Sequence, residues 1–399
     1  MFRTRKGRRW RLFNATDFQS LMYPNFILSK ILGIFPYKIK ISIFEASKPH
    51  YILWTIVFCA VCVHQLTLLY KLNFSGRIKI DVPKTITLNF SFIYGLFITV
   101  ATYISSGSRM RLLQTISDIS SKLPQQYYQK ISKLIHAKDI FGFFFVLCMG
   151  ITYMKNSDMI FGIPLEMLRG YTTFLAFQMD MLYVNCVCVL KACFKEINNN
   201  LKNLLVMNNI PSLYHQQRYP FLLKKLKSLK KQYLVISDTV QMLNVIFSPQ
   251  LLAIIILSLK KIIFHVYFYV VQWQGRLTFN LDNIYNTYFI MIILYNFIRI
   301  TLIVWVCETG KNQAIKIRTT IHDVLNSTND VQIKNELHLF SLQIFHCKNI
   351  FSAKGFAVDA TLITTMASIV ITYLLILIQF LIISHSCDEK NTIHYTQFN

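Results

Sequence analysis

None of the short motifs that mark the common enzyme classes occurs in this 399-residue chain: there is no G-x-x-x-x-G-K-[ST], no G-x-G-x-x-G, no H-E-x-x-H and no G-x-S-x-G. Without a phosphate-cradling loop, a dinucleotide turn, a helical zinc pair or a nucleophile elbow, catalysis, a cofactor and a resident metal are not expected. The basic start MFRTRKGRRWRLF has no apolar run directly behind it and is not expected to be a secretory leader. Acidic residues are scarce, 18 Asp and Glu against 42 Lys and Arg, for a formal net charge of +24. Such a surplus raises nucleic acid as a partner, but that reading needs basic residues interleaved with exposed aromatics on a soluble fold. Here the basic residues lie between apolar spans, where the positive-inside rule puts them, so the expected partner is the lipid bilayer and not nucleic acid.

The nine cysteines give no disulfide framework, since all but Cys347 and Cys387 fall in or beside apolar spans. Cys59-x-x-Cys62 has the spacing of a metal or redox pair, but inside an apolar helix two small packing residues are the better reading.

What the chain has in abundance is apolar length. It is 54% hydrophobic and 14% aromatic, with mean hydropathy +0.41, more than a soluble chain of this size shows. Seven spans are expected, at about 51–72, 86–105, 139–154, 165–190, 243–271, 284–307 and 362–383, each close to what a helix needs to cross about 30 Å of hydrocarbon. The last, LITTMASIVITYLLILIQFLII, carries no charged residue. Residues 1–50 form a basic N-terminal segment whose apolar patch, Phe26 to Phe35, is too short to cross and is expected to be an interfacial or re-entrant helix. Residues 109–138 and 191–242 have helical periodicity and charge, as solvated extensions of membrane helices would, and 384–399 are expected to be a short tail.

Orientation follows from Lys and Arg placement. The segments 1–50, 106–138, 191–242 and 308–360 hold 31 of them; the loops on the other side and the tail hold seven. The N-terminus is therefore expected inside the cell and, after seven spans, the C-terminus outside. A G-protein-coupled receptor has the reverse topology, and its D-R-Y and N-P-x-x-Y motifs are absent. No internal repeat or paired helix break supports a secondary transporter. Of the N-glycosylation sequons, only Asn73-Phe-Ser75 falls on the expected outer face, too close to the first span for modification to be expected.

Within the last span, Thr372-Tyr373, five aliphatic residues and Gln379-Phe380 form a T-Y-x5-Q-F pattern. Ahead of it stand Phe340-Ser341-Leu342-Gln343, Phe351-Ser352-Ala353, Gly355-Phe356 and Asp359. Together these resemble the C-terminal signature of the insect gustatory receptor family; odorant receptors share the plan without usually keeping that pattern. The resemblance implies an all-α, seven-span ligand-gated cation channel of the plasma membrane of chemosensory neurons. It implies four subunits, identical or mixed with other gustatory receptors, that line a central pore with their last helices and respond to a small tastant. An odorant-receptor-type channel and an obligate heteromeric subunit stay open beside that reading. For this chain the gate would then be Gln379 and Phe380 with Ile376 below them, while Thr372 and Tyr373 fix the helix against its neighbours.

The resemblance also implies a ligand pocket in the outer half of the bundle, for which the orientation offers Tyr94, Tyr153, Thr172, Gln178, His265, Tyr267, Tyr288 and Tyr295. Aromatic walls with a few polar groups suit a small polar ligand, although tyrosine also gathers at membrane interfaces. The intramembrane charges are Asp180, Arg299, Lys260 and Lys261. Asp180 is expected to pair with a basic residue of span five or six. The lysines either sit within the membrane, where the family generally has apolar or aromatic residues, or snorkel at its outer face.

Overall fold

The computed structural model describes residues 12–34, 37–40, 43–74, 82–156, 162–208, 215–273, 283–328 and 330–396. Ten helices follow one another: α1 (Phe18–Ile31), α2 (Lys48–Asn73), α3 (Val82–Ile104), α4 (Ser106–Ser120), α5 (Gln125–Asn156), α6 (Ile163–Asn208), α7 (His215–Trp273), α8 (Asn283–Ser327), α9 (Val331–His346) and α10 (Ala360–Thr396). Two small hairpins interrupt them, β1 (Tyr37–Lys40) with β2 (Ile43–Ala46) between α1 and α2, and β3 (Ser352–Ala353) with β4 (Phe356–Ala357) just before α10. Among the described residues seven helices, α2, α3, α5, α6, α7, α8 and α10, are long and apolar enough to cross a membrane. The basic residues 3–11 and the side chain of Cys387 lie outside what is described.

The hub is α6. Between Val184 and Cys193 it is apolar or small at every position but Asn185 and Lys191, and the apolar and small residues (Val184, Cys186, Val187, Cys188, Val189, Leu190, Ala192, Cys193) are all buried. A helix apolar all round is stable only when enclosed, and small side chains let neighbours come close. Accordingly 89% of the apolar window of α6 is buried, whereas the figure for α10 is 6%. The most extensive partner of α6 is α8. On α8, a Cβ added to Gly310 would lie 3.4 Å from Val187 Cγ1 and only 2.9 Å from the Phe351 ring.

The stretch expected as a single solvated extension, 109–138, is divided. It forms α4 and the first half of α5, separated at 121–124 by a turn ending in Pro124, and the Tyr128 hydroxyl donates to the Ser120 carbonyl across that turn at 2.5 Å. Phe35 of the N-terminal apolar patch lies outside the described residues. Residues 26–31 of that patch form the second half of α1, whose face of Phe18, Leu21, Met22 and Phe26 is buried in protein against α5 and α6. His136 on α5 holds it: Nδ1 accepts from the Phe13 amide at 3.0 Å, so the proton is on Nε2, which donates to the Leu21 carbonyl at 2.9 Å. The first residues of the expected tail continue the last span as helix, α10 running to Thr396.

Candidate functional site

The deepest group of the site is an ion pair inside the bundle. Asp180 on α6 and Arg299 on α8 are both buried and bonded to each other, Arg299 Nε donating to Asp180 Oδ2. The other carboxylate oxygen accepts from Gln250 Nε2 of α7 at 3.2 Å, so one acidic side chain ties three helices together. The Arg299 guanidinium stands 5.8 Å from the ring centroid of Tyr295, which stacks in turn on Phe145 of α5. Tyr94 of α3 completes the group. Its hydroxyl and Arg299 Nη2 are both buried, near each other and without a further hydrogen-bond partner. The sequence expectation of a basic partner for Asp180 on span five or six is met by Arg299.

A second group lies nearer the end of the bundle where α5 stops and α6 and α8 begin. Arg169 on α6 sits 4.4 Å above the ring of Tyr153 on α5 and donates to its hydroxyl, and Glu166 lies 3.7 Å away on the same helix. Tyr153 meets Tyr288 of α8 with ring centroids 5.2 Å apart. All are within about two helical turns of their helix ends, whereas Asp180 and Arg299 lie sixteen or more residues in, on the order of 25 Å.

Lys260 and Lys261 of α7 stand between the two groups. The Lys260 ammonium faces the rings of Phe90 on α3 at 5.4 Å and Phe264 at 5.1 Å. The charges acting on Lys261 come from Arg299, Lys260 and Arg169. His265, one turn on, donates from Nδ1 to the Lys261 carbonyl at 2.7 Å. The two lysines are thus embedded in a helix that is unbroken to Trp273 and do not end it.

Of the eight residues offered for a pocket, Tyr94, Tyr153, His265, Tyr288 and Tyr295 line this column. Three do not. The Gln178 amide is turned to the N-terminal helix, donating to the Asn25 carbonyl at 2.8 Å and to Ser29 Oγ at 3.0 Å. Thr172 points its methyl toward Gly95 on α3, and its hydroxyl donates to the Arg169 carbonyl at 3.1 Å. Tyr267 packs on its neighbour Phe268. The reason is helical rotation: Thr172 and Gln178 are on α6 faces other than that of Asp180, and composition does not say which face meets which neighbour. Sequence reasoning also passed over Gln250 and Phe90, whose roles depend on contacts between helices far apart in the chain.

From this column a short path leads to α10. Asn244 and Ser248 lie one turn apart on α7, just before Pro249 and Gln250. Asn244 Nδ2 donates to the Ile350 carbonyl at 2.7 Å, its Oδ1 accepts from the Ser352 amide at 3.2 Å, and Ser248 Oγ accepts from the Lys354 amide. The β3–β4 hairpin is therefore bolted to the helix that carries Gln250. Asp359 then opens α10, accepting from the Thr361 amide at 3.1 Å and hydroxyl at 2.5 Å, with Lys311 of α8 3.5 Å away. The Thr361 hydroxyl bond, with help from Lys311, holds the Asp359 carboxyl below its ordinary value. Leu251, Ile300, Ile303 and Val304 border a small apolar gap against Leu362 of α10.

On α10 itself the motif residues face outward: Phe380 is 68% exposed, Ile376 39% and Tyr373 54%, and Gln379 is exposed as well. The Thr372 hydroxyl donates to the Ser368 carbonyl of its own helix at 2.9 Å. Within one chain Thr372 and Tyr373 are both exposed, and among the described side chains of α10 Met366 is the buried hydrophobic one.

These features define a multi-pass helical membrane protein with a charged site enclosed by its bundle and an apolar last helix standing apart. The family description "7tm Chemosensory receptor" matches residues 22–383, and the chain belongs to that family. It is 32% identical over 146 residues to putative gustatory receptor 28b and 30% identical over 181 residues to putative gustatory receptor 28a, both of Drosophila melanogaster. Those alignments cover 34% and 42% of this chain and 30% and 39% of the relatives, so they span well under half of either protein. The fold is that of the insect olfactory receptor OR5 from Machilis hrabei, solved alone and in complex with eugenol. Each structure matches with TM-score 0.67 at 12% identity over 91% of this chain and 98% of that one. The protein is a receptor of the insect chemosensory class and not an enzyme.

Proposed function

We propose that the chain is a gustatory receptor that works as a ligand-gated, nonselective cation channel of the plasma membrane, depolarising a chemosensory neuron when a small tastant binds. Four chains, identical or mixed, surround a pore lined by α10. The N-terminus lies inside the cell, which puts the column from Tyr153 to Asp180 in the outer half of the bundle, open to tastant, with the Asp180–Arg299 pair as its floor. Gln379 and Phe380, with Ile376 below, form the gate: a ring of apolar side chains closes a narrow pore by dewetting, and turning an amide inward rewets it.

The observation that carries this reading is the state of α10. It is the most apolar of the seven spans, yet almost none of its surface is used within the chain. A lipid anchor needs no motif of Thr, Tyr and Gln exposed along such a helix, since each polar group in hydrocarbon is costly without a partner. Other copies of the chain and a water-filled pore supply such partners. The test is whole-cell current from cells expressing this chain alone, screened against sugars and bitter compounds, with Gln379→Ala and Phe380→Ala beside it. Ligand-evoked cation current whose leak or gating changes in the variants supports the proposal. Currents identical to wild type in both variants would remove the gate assignment, and G-protein-dependent signalling without current would overturn the channel reading.

A further inference from the structure

The column between α3, α6, α7 and α8 is unbalanced in charge. Among the described residues four cations, Arg169, Lys260, Lys261 and Arg299, face two carboxylates, Glu166 and Asp180, and both carboxylates already have cationic partners. Neither lysine makes an ion pair within 4 Å there. For Lys260 the compensation is two aromatic faces, worth about 0.5–2 kcal/mol, less than the several kcal/mol that desolvating an ammonium costs. Snorkelling does not relieve Lys261, because α7 continues for twelve residues beyond it through the apolar run IIFHVYFYVV, roughly 18 Å. An ion pathway does not explain the pair either, since a column of surplus positive charge repels permeating cations.

The donors beside the lysines point the same way. Arg299 Nη2 and the Tyr94 hydroxyl are buried beside each other and have no partner besides one another. The two ammonium groups stand beside this pair on α7, the Arg299 charge acting on Lys261, and among the described residues no carboxylate answers either of them. We propose that this column binds a small organic anion, with a carboxylate or phosphate group held between Lys260, Lys261 and Arg299, and the aromatic rings of Phe90 and Tyr295 against its apolar part. The proposal rests on the column being the ligand site and names the ligand class it takes. The same head-group chemistry can be brought by a soluble tastant or by an anionic phospholipid.

Melting of the purified full-length protein in nanodiscs tests this without needing a current. In zwitterionic lipid, benzoate, hexanoate and glycerol 3-phosphate at millimolar concentration are expected to raise the melting temperature, while benzamide, hexanamide and glycerol do not. Lys260→Gln and Lys261→Gln are each expected to raise the half-saturating concentration roughly 10- to 100-fold, the worth of a hydrogen bond to a charged group. The same substitutions raise the melting temperature without ligand, because they remove uncompensated charge. Stabilisation by phosphatidylglycerol nanodiscs that disappears in both variants, with no added effect of the soluble acids, also supports the site and assigns the anion to lipid. Equal effects of acids and amides, an acid effect that survives both substitutions, or no anion effect in either lipid overturns the proposal. An acid effect on melting in a protein that signals through a G protein without passing current would sink the channel reading alone.

Discussion

At the scale of single residues, the Asp180–Arg299 pair is where a change is felt most. A charge taken out of water is tolerated only when another charge answers it, so Arg299→Ala or Asp180→Ala alone leaves an uncompensated group and is expected to cost about 3–5 kcal/mol. Neutralising both together as Asp180→Asn with Arg299→Gln is expected to cost much less. Melting of the detergent-solubilised protein checks this, and equal loss in single and double variants would show that packing and not charge sets the cost. His136 is a second such point. Its two nitrogens satisfy the Phe13 amide and the Leu21 carbonyl in a buried setting. His136→Ala leaves both without a partner, at about 1–3 kcal/mol each, and should expose residues 12–34 to limited proteolysis. In the sequence His136 is one of ten histidines with nothing to mark it; its partners are 115 and 123 positions away.

Among the elements, the β3–β4 hairpin explains residues whose pattern alone had no structure attached. Phe351 and Ala353 are buried, and the turn between Ala353 and Phe356 places Lys354 at φ +45° and Gly355 at φ +91°. Two consecutive positive φ values are the requirement of a tight two-residue hairpin turn, and glycine meets it without strain. Phe351 closes over Gly310, which is why a residue with a Cβ does not fit there. Asn244→Ala removes two of the three hydrogen bonds by which α7 grips this hairpin and leaves that of Ser248. It is expected to weaken ligand-evoked current while leaving binding, read by melting, nearly unchanged; a parallel loss of both would place Asn244 in the site itself. Asp359 caps the next element. Asp359→Ala is expected to cost about 1 kcal/mol of α10 anchoring, and Asp359→Asn much less. Because the folded form holds this carboxyl below its ordinary value, its contribution is present above the unfolded value and fades as pH falls through the lower, folded one. The group is partly exposed at the end of the helix, so the effect is screened and small.

For the whole molecule, the contrast between a hub that is almost fully enclosed and a last helix that is almost fully bare sets the expectation for assembly. If α10 meets copies of itself, cysteines introduced at Phe380 should crosslink between chains under oxidation, and cysteines on the outer surface of α2, at Ile56 or Val63, should not. Monomeric crosslinking patterns at both positions would leave α10 facing lipid only. A detergent-solubilised particle of several chains, seen by native mass spectrometry, is the independent check.

The sequence by itself determined the architecture. Seven apolar stretches separated by basic segments admit a helical bundle in a bilayer, because only helices satisfy every backbone group without water. The T-Y-x5-Q-F pattern and its lead-in also set the family apart, because those residues are contiguous and keep their spacing. Tertiary structure decided everything that depends on which faces meet. It joined Asp180 to Arg299 and Gln250, turned Gln178 and Thr172 away from the column, drew the N-terminal helix into the bundle and fastened the hairpin ahead of α10 to α7. A helix of period 3.6 tells from its residues that it has an apolar surface, but when nearly the whole surface is apolar, as in α6, no stripe indicates a partner. The rotation of each helix is then settled by small residues, by buried hydrogen bonds and by the one carboxylate that had to find its cation.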